Sequence, residues 1–260
     1  VAFQSIGSLA PNDTNGLSDV YRYDRATGLS QLVSVSNGGT VGNGVSGNAS
    51  IDFDGSVVAF QSTATNLGPT DSNGVRDIYA KFAGGVVALV STSGTGAQGN
   101  GASANPSVSG NGLAVAFESS ANNLVAGDTN GLDDVFVKTI VGPIFLASIA
   151  DDDVTQGSRR SHSASMNFDG TLVVFMSQAT EFHGEPLGPV VPIVRDGVDG
   201  RTVPVGLGAP NGITGSISAV MAADGRYVMF TSNGAPVLPD ANGTDRDAFL
   251  SWWSIPEVTG

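Results

Sequence analysis

Segments with the pattern Asp-x-Asn-Gly-x-x-Asp are the part of this sequence best suited to chemistry; three occur, followed by a fourth copy that is one residue longer. Positions one, three, five and seven can turn oxygen atoms towards one point, as in the first half of an EF-hand loop, and the Gly permits the bend. Carboxylate, amide and backbone carbonyl oxygens are hard donors, which suit Ca²⁺ better than a transition metal. The predicted calcium ligands are Asp13, Asn15, Leu17 and Asp19; Asp71, Asn73, Val75 and Asp77; Asp128, Asn130, Leu132 and Asp134; and, in the longer copy, Asp240, Asn242, Thr244 and Asp247.

The same residue types also form turns without an ion. Asp and Asn side chains accept hydrogen bonds from their own backbone, so a plain turn is the competing interpretation of each loop. The last Asp favours the ion, because it stands at the start of a predicted strand, where a turn needs no carboxylate. With about four protein donors in each loop, the predicted affinity is weak, on the order of 10⁻⁴ to 10⁻³ M.

The loops belong to a repeat that runs the whole length of the chain. Its anchor is an apolar strand with Phe two residues before Ser, and successive Phe residues are 57, 57, 58 and 55 positions apart. Asp-Gly or Asn-Gly pairs at residues 54–55, 111–112, 169–170 and 224–225 predict tight hairpin turns. The Ser recurs without a His partner in every repeat, which predicts a structural role and not a nucleophile. The anchors are Phe3, Phe60, Phe117, Phe175 and Phe230.

Each repeat of about 57 residues resolves into four short strands, and no segment shows a helical apolar period. Tandem four-strand units of this length predict a β-propeller, because radial packing buries both faces of each small sheet. The predicted fold is therefore all-β, a single domain over residues 1–260 with five four-stranded blades. The chain begins at the second strand of the repeat, so the first blade is predicted to be incomplete at the N-terminus.

The fourth repeat lacks the loop pattern, because residues 181–187 contain Glu, His and Pro in place of the Asp and Asn spacing. We therefore predict calcium in blades one, two, three and five and none in blade four. Both histidines, His162 and His183, lie in this repeat near Arg159 and Arg160. Either the blade carries a ligand site of its own or, as we favour, it has lost its metal loop and exposes ordinary polar groups.

Composition supports a turn-rich β protein and excludes several partners. Gly supplies 36 residues, and 20 of the 24 acidic residues are Asp, a residue of turns and hard-cation sites. The net charge of −13 argues against nucleic acid and anionic membrane surfaces as partners. No apolar stretch is long enough for membrane insertion, and the absence of Cys excludes thiol chemistry. Adaptation to high salt is the alternative explanation of the acidic charge.

Together these motifs resemble the TolB-like β-propeller family, in its secreted bacterial branch with calcium-type loops. The likeness rests on the Asp-Gly turns, on Val-Ala-Phe-x-Ser, on Asn66-Leu67 and Asn123-Leu124, and on Asp-x-Asn-Gly-x-x-Asp followed by Val or Ile and an aromatic residue. It covers nearly the whole chain. The resemblance implies a propeller, usually in an exported protein, that serves as an interaction platform more often than as an enzyme.

Two functions remain open at this point. The one we favour is a monomeric, non-catalytic calcium-binding scaffold that binds a protein or glycan at a propeller face. It would act outside the cell or in the periplasm, where calcium is available. The alternative is a glycoside hydrolase or a lectin-like carbohydrate-binding propeller. Hydrolysis needs two carboxylates about 5 to 9.5 Å apart, and the candidates on predicted inner strands are Asp52 and Glu118.

Overall fold

The computed structural model describes residues 1–68, 71–182, 190–205, 218–232 and 247–252. Within these ranges the chain forms eighteen β-strands and one short 3₁₀ turn, Thr180–Phe182. The strands form five sheets, and neighbouring strands are antiparallel. The prediction of an all-β fold is confirmed. The described part of the chain contains no helix with the length and hydropathy of a membrane span.

The sheets are numbered one to five along the chain. Their strands are β1 (Ala2–Ser5), β2 (Asp19–Asp24) and β3 (Leu29–Leu32) in sheet one; β4 (Ser46–Ile51), β5 (Val57–Ser62), β6 (Asp77–Phe82) and β7 (Val87–Leu89) in sheet two; β8 (Ser103–Val108), β9 (Ala114–Ser119), β10 (Asp134–Thr139) and β11 (Ile144–Leu146) in sheet three; β12 (Ser161–Met166), β13 (Leu172–Ser177), β14 (Val191–Asp196) and β15 (Thr202–Pro204) in sheet four; and β16 (Ala219–Met221), β17 (Tyr227–Ser232) and β18 (Asp247–Trp252) in sheet five.

Sheets two, three and four have the four strands predicted for each repeat, in the order of the sequence. Sheet one has three strands. Its β1 pairs Phe3 with Tyr21 as β5 pairs Phe60 with Tyr79, so the strand without a counterpart there is β4. Sheet five has three strands within the described residues, and residues 253–260 lie outside them.

The Phe anchors form the core of the sheets. In sheets one, two, three and five the anchor ring stacks on an aromatic ring of the third strand of the repeat, with centroids 5.6 to 6.0 Å apart. In sheet four the third strand offers Ile193 at that position, and Phe182 of the 3₁₀ turn packs edge-on against Phe175 at 5.8 Å. Each fully buried ring contributes roughly 1.5 to 3 kcal/mol, so the repeated anchor is a main source of stability.

Successive sheets pack side by side. The first strands of sheets two to five contact the preceding sheet, and neighbouring sheets share apolar cores, as Val57 and Ile78 of sheet two do with Val108 of sheet three. The predicted hairpin turns are present, with the left-handed backbone that such turns require. The four turn glycines have φ of +71° to +82°: Gly55, Gly112, Gly170 and Gly225.

A β-bulge interrupts the first strand of sheets two, three and four. Each bulge contains one residue with positive φ, between +46° and +57°. The backbone N–H of that residue donates to a side-chain oxygen on the Phe-anchor strand of the preceding sheet, at 2.8 to 3.1 Å. This bond recurs with the repeat and ties each sheet to the next. The donor and acceptor pairs are Asn48 and Gln4, Asn105 and Gln61, and Ser163 and Glu118.

Candidate functional site

In sheets one, two and three the predicted calcium loop precedes the third strand of the repeat. Its last aspartate is the first residue of that strand: Asp19 of β2, Asp77 of β6 and Asp134 of β10. The Gly at the fourth position has φ of +67° to +70° in these three loops, so a residue with a Cβ is strained there. In each loop the first and last carboxylates are close enough to interact electrostatically.

In the loops of sheets one, two and three the last aspartate is completely buried. A serine hydroxyl, two residues beyond the outermost strand, donates to its Oδ1 at 2.6 Å in all three loops. The same hydroxyl accepts the N–H of the residue after the aspartate at 3.0 to 3.1 Å. Sequence reasoning missed these serines, although they recur at intervals of 57 residues. The pairs are Ser34 and Asp19, Ser91 and Asp77, and Ser148 and Asp134.

Other carboxylate oxygens in these loops have no hydrogen-bond partner. Oδ2 of Asp19, Asp71 and Asp134 and Oδ1 of Asp128 are buried and accept no hydrogen bond of good geometry. Asn15 still lowers the pKa of Asp19, and Asn130 lowers that of Asp128 and Asp134, by weaker polar contacts that only partly offset burial. Among the described residues only five buried side-chain nitrogen or oxygen atoms lack a partner, and these are four of them. Leaving a buried polar atom unpaired costs about 1 to 3 kcal/mol, and more for a charged group. A bound cation would remove that cost.

The first aspartate has a different partner in sheets one and two. In sheet one the Tyr21 hydroxyl donates to Asp13. In sheet two a single side-chain amide, that of Gln98, donates to Asp71 at 2.8 Å and to Asp77 at 2.9 Å. An amide nitrogen therefore lies between the two carboxylates and partly compensates their charge.

The loop of sheet three is the most open to a cation. Gln156, the counterpart of Gln98, donates to the carbonyl of Gly127 and not to a loop carboxylate. Both the first aspartate, Asp128, and the last, Asp134, keep one unpaired buried oxygen. Two carboxylates with free oxygens in a site of low solvent access are what a hard divalent cation stabilises.

Burial is the main cause of raised pKa values in the loops. It raises the pKa of Asp19, Asp77 and Asp128, and it raises that of Asp134 to about 6. The negative charge of the first aspartate adds to the rise for the last one in each loop. A raised carboxyl pKa means that the site disfavours the charge, and a proton or a cation would relieve it.

The loop asparagines make the contacts of a turn. Oδ1 of Asn15, Asn73 and Asn130 accepts the N–H two residues later at 2.8 to 3.0 Å, as the turn interpretation expects. Within the described residues, no three His, Cys, Asp or Glu side chains form a metal centre. A cation in a loop would therefore use two carboxylates with amide, main-chain or water oxygens. Ligation by the asparagines, and by the carbonyls of residues 17, 75 and 132, stays a prediction.

Comparison with known proteins adds the fold. No protein-family model and no curated protein matches this chain. Among solved structures, TolB from Acinetobacter baumannii has a TM-score of 0.54 at 15% identity, over 96% of this chain and 48% of that one. A putative TolB from Agrobacterium tumefaciens has a TM-score of 0.51 at 15% identity, over 90% of this chain and 76% of that one. This chain has the fold of a TolB-like β-propeller. Its sheets are the blades.

An enzyme is also among the solved structures with a similar fold. Oligogalacturonate lyase from Vibrio parahaemolyticus is similar with a TM-score of 0.51 at 14% identity, over 90% of this chain and 54% of that one. This chain also spans about half the length of the Acinetobacter TolB, 48%. Because identities this low show the fold alone, the function must be argued from the residues of the propeller itself.

Blades four and five are described in part. In blade four Glu181 accepts hydrogen bonds from the N–H and hydroxyl of Ser158, at 3.2 and 3.0 Å, whereas His183 lies outside the described residues. Of the four predicted ligands in blade five, Asp247 alone lies within the described residues, as the first residue of β18. The predicted ligands Asp240, Asn242 and Thr244 lie outside the described residues.

The second histidine of blade four, His162, lies beside Glu118 of blade three. Its Nδ1 is 3.0 Å from Ser163 Oγ, and burial lowers the pKa of His162. Glu118 accepts the N–H of Ser163 and the side-chain amide of Asn105, both at 2.8 Å. The exposed Arg160 guanidinium lies 3.7 Å from Glu118. These contacts join neighbouring blades, so Glu118 acts as an acceptor between blades.

Asp52 and Glu118 do not form the pair that a hydrolase needs. Asp52 accepts the Ser56 hydroxyl at 2.7 Å, and its Oδ2 would lie 2.7 Å from a Cβ placed on Gly112. Glu118 lies near the other end of β9, four residues beyond Ala114. At about 3.3 Å per residue, the backbone of Glu118 lies roughly 13 Å along β9 from Ala114, which is more than the separation of about 5 to 9.5 Å between the carboxyl groups of a hydrolase pair.

The recurrent serines of the anchor strands have partners on the neighbouring strand. In blades two, three and four each serine shares a hydrogen bond with a serine of the first strand, at 2.9 to 3.2 Å. No histidine takes part in these three bonds, which agrees with the structural role predicted for them. The pairs are Ser46 and Ser62, Ser103 and Ser119, and Ser161 and Ser177.

Proposed function

We propose that this chain is a non-catalytic scaffold, a five-bladed propeller with Ca²⁺ in the loops of blades one, two, three and five. Blade four completes the scaffold without an ion. The scaffold binds a protein or glycan, as a monomer, outside the cell or in the periplasm. The placement of Asp52 beside Gly112 and of Glu118 near the other end of β9 supports the scaffold over the hydrolase, because these are the carboxylates that the sequence offers for sugar cleavage.

The unpaired carboxylate oxygens are the observation that supports calcium. They occur in three separate loops, and only at the first and last aspartates of the repeated pattern among the loop residues described. In blade three both Asp128 and Asp134 contribute one. A plain turn explains the asparagine contacts but gives no reason for burying two carboxylates side by side, whereas a divalent cation does.

Weak calcium binding would still stabilise the fold. A cation that binds the folded and not the unfolded chain adds RT ln(1 + [Ca²⁺]/Kd) to the free energy of unfolding at each site. For millimolar calcium and a Kd of about 10⁻⁴ to 10⁻³ M, this is roughly 1 kcal/mol per site. Cytosolic calcium is too dilute to fill such sites, which supports the proposed location outside the cytosol.

Thermal unfolding in EDTA, followed by addition of Ca²⁺ or Mg²⁺, tests the proposal. We expect Ca²⁺ to raise the melting temperature more than Mg²⁺ does, and calorimetric titration to count four sites. Asp128→Asn should remove one site, because it deletes a loop charge at nearly constant volume. Asp133→Asn is the matched control: it deletes a charge in the same loop, but that side chain is 43% exposed and lies 3.6 Å from Arg160. It should keep all four sites.

Equal melting temperatures in EDTA and in calcium, with no heat of binding, would contradict the proposal. The loops would then be plain turns. A melting temperature that rises with molar KCl and not with millimolar Ca²⁺ would instead assign the acidic composition to salt adaptation.

A further inference from the structure

Each turn between blades is closed by a β-bridge, and its third residue lies at the outer edge of the next blade. The three residues are Asn37, Gly94 and Asp151. Two of them cover that edge with their side chains. The Asn37 side chain accepts the N–H of Val87 at 2.6 Å and donates to its carbonyl at 3.2 Å. Asp151 accepts the N–H of Thr202. Gly94, between them in the series, has no side chain with which to do the same.

The three positions are structurally equivalent. The residues to be covered are the first of the outermost strands β7, β11 and β15: Val87, Ile144 and Thr202. They pair in the same register with a basic residue of the third strand, respectively Lys81, Lys138 and Arg195. The three blades therefore have the same strand pairing at this edge, and they differ in whether the preceding turn supplies a side chain that covers it.

The edge of β11 presents open backbone groups. The N–H of Ala147 bonds to the carbonyl of Val135 at 2.8 Å, which fixes the alternation of the ladder. Ile144 and Leu146 therefore point their N–H and C=O groups away from β10. In the described part of the chain β11 pairs with β10 alone. An uncovered strand edge of this kind is a template for another strand.

A cleft runs along this edge. Its volume is about 710 Å³, and it lies between β11 and the β14–β15 hairpin of blade four. Its apolar lining includes Phe145, Leu146 and Val125. Val154 and Val198 line it with 78% and 74% of their surface exposed. The cleft can take apolar side chains of a strand added to β11.

The charges around the cleft select the partner. Asp153 and Asp199 both line it, and the Arg195 guanidinium is already bound to Asp153 and, at 2.6 Å, to the carbonyl of Gly200. These three side chains carry a net charge of about −1, on a chain of net charge −13. A second copy of the chain would bring a like charge to the same place, whereas a basic segment would be attracted.

We propose that the outer edge of blade three is a strand-addition site for an extended peptide segment in which apolar and basic residues alternate. The main chain of the segment pairs with Ile144 and Leu146, and its apolar side chains enter the cleft. Its basic side chains lie on the opposite face of the added strand and are attracted by the net negative charge of the chain. The inference rests on the proposed scaffold function, for which it names a partner class. Its geometry does not use the calcium loops.

Fluorescence anisotropy with a nine-residue, end-capped peptide of alternating valine and lysine tests the site. Two backbone N-methylated forms are compared with it. One is methylated on the backbone nitrogens of the valines and the other on the backbone nitrogens of the lysines. In a strand all the nitrogens of one set point to the same side, so one form should lose binding and the other should keep it. Loss in both forms or in neither would contradict strand addition.

Variants of the chain locate the site. Gly94→Asn should place a cover on β11 as Asn37 does on β7, and no atom lies within 4 Å of a Cβ at Gly94, so the fold tolerates it. Ile144→Pro removes one outward N–H and should weaken binding about tenfold. Asn37→Gly uncovers β7 and should raise the number of bound peptides by one.

Binding that is unchanged in Gly94→Asn and in Ile144→Pro would overturn the proposal, as would self-association of the chain in place of peptide binding. Each measurement is made in EDTA and in calcium. Peptide binding in both, without a calcium effect on melting, would uphold this site and contradict the calcium loops. A calcium effect without peptide binding would do the reverse.

Discussion

The side-chain amide of Gln98 joins the two ends of the blade-two loop, because it donates to Asp71 at 2.8 Å and to Asp77 at 2.9 Å. It thus competes with a cation for the same two carboxylates. We predict that Gln98→Ala tightens calcium binding by the blade-two loop and lowers stability in EDTA by about 1 kcal/mol, since two carboxylate oxygens each lose one donor and keep another from Asn73. Calorimetric titration and urea unfolding measure the two effects.

Gln156→Ala in blade three is the control for this prediction. Gln156 donates to the carbonyl of Gly127, so its loss should leave calcium affinity nearly unchanged. Equal changes in calcium affinity for both variants would show that Gln98 does not compete with the ion.

Stability in EDTA should fall as the pH rises from about 4 to about 6. Burial raises the pKa of Asp134 to about 6, against about 3.9 in an unfolded chain. Between these values the folded state binds more protons than the unfolded state, so the free energy of unfolding decreases with pH. Asp134 alone accounts for at most about 3 kcal/mol, and the raised pKa values of Asp19, Asp77 and Asp128 act in the same direction.

Urea unfolding from pH 4.5 to 7.5 measures this decrease. Asp134→Asn should flatten the slope in EDTA, and calcium should flatten it in the unsubstituted chain, because each removes the unfavourable charge. A slope that Asp134→Asn leaves unchanged would assign the effect to other groups.

Glu118 should tolerate an amide and not an apolar side chain. Glu118→Gln keeps an acceptor for the N–H of Ser163 and for Asn105, as Gln61 does for the preceding bulge. We expect a change in stability within about 0.5 kcal/mol for Glu118→Gln, and a loss of about 1 to 3 kcal/mol for Glu118→Ala. Urea unfolding distinguishes the two, and equal losses would contradict the role of Glu118 as an acceptor between blades.

Glycine at position 101 should be required by space. A Cβ there would lie 2.7 Å from backbone atoms of Ser120 and Ala121, which cannot move aside without shifting the chain. Gly101→Ala should therefore cost about 1 to 3 kcal/mol. Gly94→Ala is the matched control, with no atom within 4 Å, and should change stability by less than about 0.5 kcal/mol. Similar melting temperatures for the two variants would contradict the argument.

Much of the fold could be read from local signals. The spacing of Phe60, Phe117 and Phe175 indicated the repeat, and the Asp-Gly and Asn-Gly pairs indicated the hairpins, because both depend on the residues of one repeat alone. Blade four shows the limit. Its core is completed by Phe182 from a short 3₁₀ turn against Phe175, a contact that no periodic pattern encodes.

The candidate site divides in the same way. A run of seven residues was enough to identify the oxygen-bearing side chains of each loop and the Gly that permits its bend. Which of those oxygens are satisfied depends on residues far away in the chain. Ser34, Ser91 and Ser148 reach the last aspartates from 14 or 15 residues away, and Gln98 reaches Asp71 across 27 residues. Which carboxylates are left open to a cation, and which blade edge is left uncovered, depend on neighbours that only packing of one blade on the next brings together.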